Sequence, residues 1–223
     1  MNPRPPPWSP DEVVALSRET KRQLRRRMRG LRASLPPDVR QARSAAIAAA
    51  VLALDAWTTA GTVALFASLG DEVDAAPLFA AARAQGKRVV LPVVPPEPGP
   101  MRWRVALQDD GTETPRAPNP WGIDEPTEAA PEVAPAEIDL VVVPALVIDP
   151  RGHRVGYGRA YYDQTLPALT RALRVVVGYE FQLLAEVPAE EHDVPGHWVI
   201  TDQRSHRAED APAARSGVRT ETE

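Results

Sequence analysis

No cysteine occurs in the chain, which excludes a disulfide framework, a thiolate nucleophile and any cysteine-based metal centre. Lysine is almost as scarce, for only Lys21 and Lys87 stand among the 26 basic residues. The skew towards arginine is compositional, but it makes each lysine worth following. The four histidines are too scattered to suggest zinc. Positive charge is not in excess either. A formal net charge of -4 supplies no global field to hold nucleic acid by its phosphates, so any basic site must be local. No run of about 18 apolar residues is present, and the opening Met-Asn-Pro-Arg-Pro-Pro-Pro lacks the apolar core of a signal peptide. A cytoplasmic protein that binds neither nucleic acid nor membrane is therefore expected.

What is present suits one large domain, since 223 residues can bury a substantial core. Residues 1–8 are proline-rich and expected to be disordered, 9–203 to form one α/β domain, and 204–223, polar and alanine-rich, a disordered tail. Ser9-Pro10-Asp11-Glu12 has the form of a capping box with proline at the first helical position. Leu24, Met28 and Leu31 make the apolar seam of the helix that follows. Arg18, Lys21, Arg22, Arg25, Arg29 and Arg32 flank that seam, either as a solvated face or, for Lys21 and Arg25 one turn apart, as arms into an anionic pocket. Gly30 and Pro36-Pro37 predict the end of this helix, and a second, alanine-rich one is expected over 38–55.

Strand 62–67, helix 75–85 and strand 88–94 then alternate in the manner of a parallel sheet. The acids Asp71, Glu72 and Asp74 follow the first strand, at the carboxyl end where open α/β sheets bind ligands; Asp74 is equally suited to cap the helix after it. Residues 95–136 are irregular apart from a short strand at 102–106. Within them, Asn119 to Pro126 places Trp121 among turn residues, as a core plug or as a platform for a flat ligand.

The stretch 138–163 is the most informative. The apolar run Ile138 to Ile148 reads as a strand buried on both faces, Gly152, Gly156 and Gly158 punctuate a loop, and 160–173 carries a helical pattern. Strand, glycine loop and helix in that order suit a phosphate, because glycine admits backbone N–H groups to its oxygens and a helix N-terminus adds a positive dipole end. Arg154 and Arg159 can pair with the same oxygens. No Gly-Lys-Ser/Thr closes the loop, so it is not a P-loop, and the glycine spacing does not fit a dinucleotide fold. Tyr161, Tyr162 and Asp163 fall in the first helical turn, where an acid beside a phosphate suits a bridging cation such as Mg²⁺. A further strand over 174–178, a helical turn over 181–185 and a last strand over 198–201 complete the pattern. Asp193, in the loop before that last strand, is either a solvated acid or a ligand.

Taken together, Lys21-Arg-Gln-Leu-Arg25, Ser68-Leu-Gly-Asp-Glu-Val-Asp74, Trp121-Gly-Ile-Asp-Glu-Pro126, the Arg154-Val-Gly-Tyr-Gly-Arg-Ala-Tyr-Tyr-Asp163 core and Glu191-His-Asp193 resemble the 5-formyltetrahydrofolate cyclo-ligase family over almost the whole ordered chain. The resemblance implies a mostly parallel open sheet with helices on both faces, like sugar-phosphate isomerases and CoA-transferases. It also implies a monomer that uses ATP and Mg²⁺ to convert 5-formyltetrahydrofolate to 5,10-methenyltetrahydrofolate. Lys21, Arg154 and Arg159 would then be catalytic. Lys21, Arg22 and Arg25, with Arg154, Val155, Gly156, Tyr157, Gly158, Arg159, Ala160, Tyr161 and Tyr162, would bind ATP, and Asp163 and Asp193 would hold Mg²⁺. Leu69, Glu72, Asp74, Trp121, Tyr157 and Tyr161 would meet the folate. Ala160 stands where the family motif usually has glycine. The rival reading is a non-catalytic module on the same fold, either a sensor of phosphorylated sugars, which would have no use for Lys21 and Arg25 beside a nucleotide, or a folate-binding paralogue that has lost turnover through Ala160.

Overall fold

The computed structural model describes residues 9–97, 99–190 and 193–208. The proline-rich start, Glu191, His192 and the chain from 209 onward lie outside the described residues, so the disorder expected at the two ends is not addressed there.

Among the described residues eight strands form the central sheet. In chain order the strands are β1 (Thr62–Ala64), β2 (Arg88–Val93), β3 (Arg102–Leu107), β4 (Arg116–Pro118), β5 (Asp124–Pro126), β6 (Glu132–Val133), β7 (Leu140–Pro144), β8 (Val147–Ile148), β9 (Arg154–Val155), β10 (Leu173–Val177), β11 (Trp198–Ile200) and β12 (Ser205–Arg207). The sheet runs β12-β11-β10-β7-β1-β2-β3-β6, while β4-β5 and β8-β9 are separate two-stranded ribbons. β2, β1, β7, β10 and β11 are mutually parallel; β3 and β12 run antiparallel to them, and β6 pairs antiparallel with β3 at the outer edge. From β1 the chain moves outward to β2, β3 and β6, then returns to β7 on the other side of β1. Strand order reverses there, so a crevice opens at the carboxyl ends of β1 and β7.

The apolar runs of the central strands divide by alternation between two faces, which is why both faces need a cover. Val63, Leu65, Leu91, Val142 and Val177 point into one core, with Ile47, Val51 and Trp57 packed on them. That layer consists of helices α2 (Pro37–Leu52), α3 (Asp55–Thr59) and α4 (Ala76–Ala84). Ala64, Val90, Val141, Val143 and Val176 point the other way, onto Leu166, Leu169 and Ala172. The second layer is thin: α5 (Tyr161–Thr165) runs into a single 3₁₀ turn at Leu166–Ala168.

Helix α1 (Pro10–Ala33) begins with the expected capping box, Ser9 Oγ accepting from the Glu12 amide and Glu12 Oε2 accepting from the Ser9 amide. Gly30 does not break it. Its C-terminal half lays Leu24 and Met28 against Leu146, Val147, Val155 and Val187, a small separate core that fixes α1 beside the β8-β9 ribbon.

Four expectations need correction. The helix foreseen over 160–173 is five residues long because Pro167 supports only a 3₁₀ turn after it. The strand foreseen over 138–148 divides at Pro144, and the carbonyls of Ala145 and Leu146 turn to Gln182 Nε2 at 2.8 and 2.9 Å instead of to a neighbouring strand. The second helix ends at Leu52, with α3 as a separate turn. The tail does not begin at Arg204, since β12 pairs antiparallel with β11 through Trp198, Val199 and Ile200.

Candidate active site

A cavity of about 630 Å³ occupies the crevice where strand order reverses. Phe66 and Ala67 beyond β1, Pro92 and Val94 at the end of β2, and Pro144 at the end of β7 form its floor. One flank is α1, which contributes Arg18, Lys21, Arg25 and Arg29, four residues on one face by their helical spacing. The opposite flank is the glycine loop from Arg154 to Asp163.

Arg154 is the best anchored of these groups. On β9 and 7% exposed, it donates from Nη2 to Asp163 Oδ1 at 2.6 Å and from Nη1 to the Val194 carbonyl at 2.5 Å. Burial pulls its pKa below the ordinary arginine value, opposed by Asp163, yet a guanidinium stays charged in a protein. Lys21 Nζ reaches Glu190 Oε1 at 2.7 Å and Asp193 Oδ2 at 3.4 Å. Thus Asp163 and Asp193 both line the cavity and each rests on a cation from a different element. Arg25 Nε donates to the Gly156 carbonyl at 2.8 Å. Its guanidinium packs so close to Gly158 that a Cβ there would come within 3.3 Å of Cζ, and Gly158 also holds φ at +101°. Glycine at 158 therefore serves the approach of α1 as well as the turn.

A second network joins α1 to the acid loop. Arg32 Nη2 donates to Asp71 Oδ1 and to the Tyr157 hydroxyl, both at 2.6 Å, and the Tyr157 hydroxyl donates to Glu72 Oε1 at 2.6 Å. Glu72 Oε2 accepts from the Leu69 amide at 3.1 Å. Burial raises the Glu72 pKa above the usual carboxylate range, against the lowering effects of Tyr157, Leu69 and Arg32. Burial, then Glu72, raises Tyr157 as well. A carboxyl whose folded pKa exceeds its unfolded value binds its proton more tightly when folded, so its stabilising contribution is lost as pH rises from about 4.5 through the elevated value. Glu72→Gln removes that titration. The melting temperature of the variant minus that of the wild type should therefore climb across this window and level off above it, whatever constant offset the amide adds; thermal melts at a series of pH values check this, and a flat difference would contradict it.

The loop ends in an unusual residue. Ala160 has φ 53° and ψ 22°, the left-handed region, and is the sole non-glycine residue there among those described. It takes up the turn that glycine at this position would make. Left-handed backbone costs an L-residue about 1–2 kcal/mol, partly recovered through the smaller entropy of the unfolded alanine chain. Ala160→Gly should thus raise the unfolding free energy by roughly 0.5 kcal/mol, measurable by chemical denaturation. Since α5 has only five residues, it offers an anion no helix N-terminus, which leaves the loop amides and arginines as the donors.

Of the residues singled out from sequence, Lys21, Arg25, Leu69, Glu72, Trp121, all of Arg154 to Asp163, and Asp193 line this one cavity. Trp121 is 42% exposed, with the Arg159 guanidinium 4.9 Å from its ring centroid, so it is not a core plug. Asp71 is held on Arg32 outside the cavity lining, and two of the residues that the resemblance assigned to ligands lie elsewhere. Arg22 is exposed beside the same face of α1, where it pairs with Glu19 instead of lining the cavity. Asp74 Oδ1 accepts from the Ala76 amide at 2.9 Å in the turn that leads into α4, where Ala75 and not Asp74 is the N-cap, and its side chain borders a neighbouring cavity behind the β4-β5 ribbon. Glu125, Glu190, Arg29 and Met101 line the site without having been singled out as ligands. Arg29 continues the spacing of Lys21 and Arg25, and Glu125 lies in the Trp121 to Pro126 segment, so both had a local signal; the other two had none.

Among the described residues no group of three or more acids or histidines could hold a metal unaided. Asp163 and Asp193 nevertheless fit Mg²⁺, which takes one or two carboxylates and completes its shell with water and substrate phosphate oxygens. No helix among the described residues is long and apolar enough to cross a membrane.

Comparison with known proteins gives concordant matches. A model of the 5-formyltetrahydrofolate cyclo-ligase family matches residues 17–202. The 5-formyltetrahydrofolate cyclo-ligase of Mycolicibacterium smegmatis is 31% identical over 200 residues, covering 85% of this chain and 97% of its own length. That of Escherichia coli K12 is 29% identical over 180 residues, covering 79% and 97%. The solution structure of Aquifex aeolicus 5,10-methenyltetrahydrofolate synthetase superposes with a TM-score of 0.74 at 26% identity, covering 90% of this chain and 98% of its own.

Proposed function

The chain belongs to the 5-formyltetrahydrofolate cyclo-ligase family, and we infer that its cavity carries out the ATP-dependent cyclisation of 5-formyltetrahydrofolate to 5,10-methenyltetrahydrofolate with release of ADP and phosphate. One observation carries this reading: a single cavity has cations and loop amides at one end and an apolar, tryptophan-bordered slot with buried acids at the other. Such a site has room for a triphosphate and a flat heterocycle side by side. A binding module for a phosphorylated sugar has no use for Lys21 and Arg25 together with the apolar slot, and nothing in the site favours it.

The chemistry asks for positioning and charge neutralisation, not for a protein nucleophile. The formyl oxygen of the substrate attacks the γ-phosphorus and ADP leaves, so a poor leaving group becomes a phosphate ester on an iminium carbon. N10 attacks that carbon and loses its proton, and expulsion of phosphate leaves the methenyl bridge. Lys21, Arg25 and Arg154 surround the triphosphate and offset charge that spreads over the transferred group. Arg159, held over Trp121, closes the cavity between phosphates and heterocycle and so limits water that would hydrolyse the activated formyl group. Asp163 and Asp193 would hold Mg²⁺, which when bound neutralises phosphate charge. Arg154 and Lys21 orient those two carboxylates through the contacts described above.

Incubation with 5-formyltetrahydrofolate, ATP and Mg²⁺ should give a rising near-ultraviolet absorbance of methenyltetrahydrofolate, absent when ATP is withheld. A flat trace from folded protein would sink this reading.

A further inference from the structure

Glu125 is a buried acid that the reaction sequence above does not use. It sits on β5 in the apolar end of the cavity, 9% exposed, beside Pro92, Val94, Met101, Ile123 and Trp121. Among the described residues its two hydrogen bonds fall on one oxygen: Oε1 accepts from the Val94 amide at 3.2 Å and from Asn119 Nδ2 at 2.8 Å. Glutamine would serve both donors equally well without burying a charge. Burial raises the Glu125 pKa, against the pull of those two donors, so the ionised form is held at a cost. The neighbouring acid differs, for Glu72 is engaged within the protein through both of its oxygens. An acid that keeps its second oxygen on an apolar cavity wall is matched only if the ligand brings the donor.

We propose that Glu125 is the group that recognises the pterin of the substrate, Oε2 accepting from the adjacent N3–H and 2-amino group on its pyrimidine edge. This rests on the cyclo-ligase reading for the identity of the ligand. Donor chemistry separates the two heterocycles the cavity must take. The pterin edge presents two N–H donors side by side, which suits a group that only accepts. Adenine flanks its amino group with acceptor nitrogens on both sides, and a carboxylate would meet one of them in repulsion. Glu125 therefore selects the folate and also fixes its sense of insertion, with the pyrimidine ring on β5 and the N5-formyl group towards Arg154 and the glycine loop. In that orientation Trp121 stacks on the ring.

The test is Glu125→Gln, which keeps an acceptor for Val94 and Asn119 but turns an amide N–H towards the pterin edge. The KM for 5-formyltetrahydrofolate should rise by at least about tenfold while the KM for ATP stays within about twofold. A merely structural role would not divide the two constants. The second arm uses a 5-formyltetrahydrofolate analogue lacking the 2-amino group: the wild type should bind it about tenfold more weakly and the variant no more weakly than the parent compound. An unchanged folate KM, a shift in the ATP KM instead, or an equal penalty for the analogue in both proteins would each overturn the proposal. Wild-type protein that fails to turn over would refute the cyclo-ligase reading alone, because quenching of tryptophan fluorescence by 5-formyltetrahydrofolate still compares the two proteins. Failure of the wild type to bind folate in that titration would refute both. The analogue arm on the wild type decides the matter should the variant not fold.

Discussion

Replacing Arg154 by alanine should lower kcat by about 10²–10³-fold, the usual loss when one pre-placed charge-stabilising group is removed. The effect is expected to be this large because Arg154 acts at three places. Its guanidinium supplies charge to the cavity wall, orients Asp163 through Nη2 and holds the loop before β11 through the Val194 carbonyl. Alanine would leave the Asp163 carboxylate and that carbonyl without their shared donor, at a cost of their own. Arg154→Lys separates these contributions: it keeps a charge but not the fork that spans two partners, so it should recover only part of the lost rate. Steady-state kinetics on variants whose thermal melts show intact folding provide the check. Unchanged kcat in Arg154→Ala would remove the residue from the reaction.

Gly152→Ala should have the largest effect on stability, on the order of 3 kcal/mol from overpacking and left-handed strain together. A Cβ at this position would lie 2.5 Å from the Gly196 carbonyl oxygen and 2.9 Å from its nitrogen, and φ is already +82°. Both neighbours are backbone, so no flexible side chain can yield. Gly152 and Gly196 are instead joined directly, the Gly196 amide donating to the Gly152 carbonyl at 2.9 Å. In a protein of this size the melting temperature should fall by roughly 6–12 °C. Gly156→Ala is the matched control, since nothing lies within 4 Å of its added Cβ, and its stability should change by less than about 0.5 kcal/mol. Equal melts for the two variants would contradict the assignment of Gly152 to backbone packing. Although it belongs to the same glycine-rich stretch as Gly156 and Gly158, Gly152 serves the hairpin turn, where the fully buried Asp149 accepts from the Arg151 and His153 amides, both at 3.0 Å.

What could be read from the sequence depended on how local its cause was. Ser9 and Glu12 define the start of α1 by themselves, and the valine runs of β7 and β10 define buried strands by composition. The core from Arg154 to Asp163 was legible for the same reason, since its glycines, arginines and acid are neighbours in the chain. The supposed helix over 160–173 failed because Leu166, Leu169 and Ala172 are buried on the sheet at a three-residue spacing that a 3₁₀ turn and a loop satisfy as well as a helix does. Glu125 escaped notice as a ligand because its burial depends on Val94, 31 residues earlier. Asp74 shows the converse case: a local turn contact to the Ala76 amide satisfied an acid that the resemblance had placed against the folate.

The contact between Lys21 and Asp193 joins residues 172 apart in sequence, and it closes the end of the cavity that would receive phosphate. Synthesis runs from the N-terminus, so α1 leaves the ribosome with its arginines and Lys21 long before the loop that answers them exists. On the proposed function, a nascent chain therefore passes most of its synthesis with a cationic helix and no nucleotide site, and the loop that carries Asp193 would convert one into the other. Contacts this distant are slow to form and sensitive to anything that loosens the C-terminal strands. Bound ATP would act on that same closure, stabilising the finished chain by mass action while offering nothing to a truncated one. On the proposed function, ATP should then protect full-length protein and not C-terminally shortened protein, which proteolysis of both with and without ATP would display.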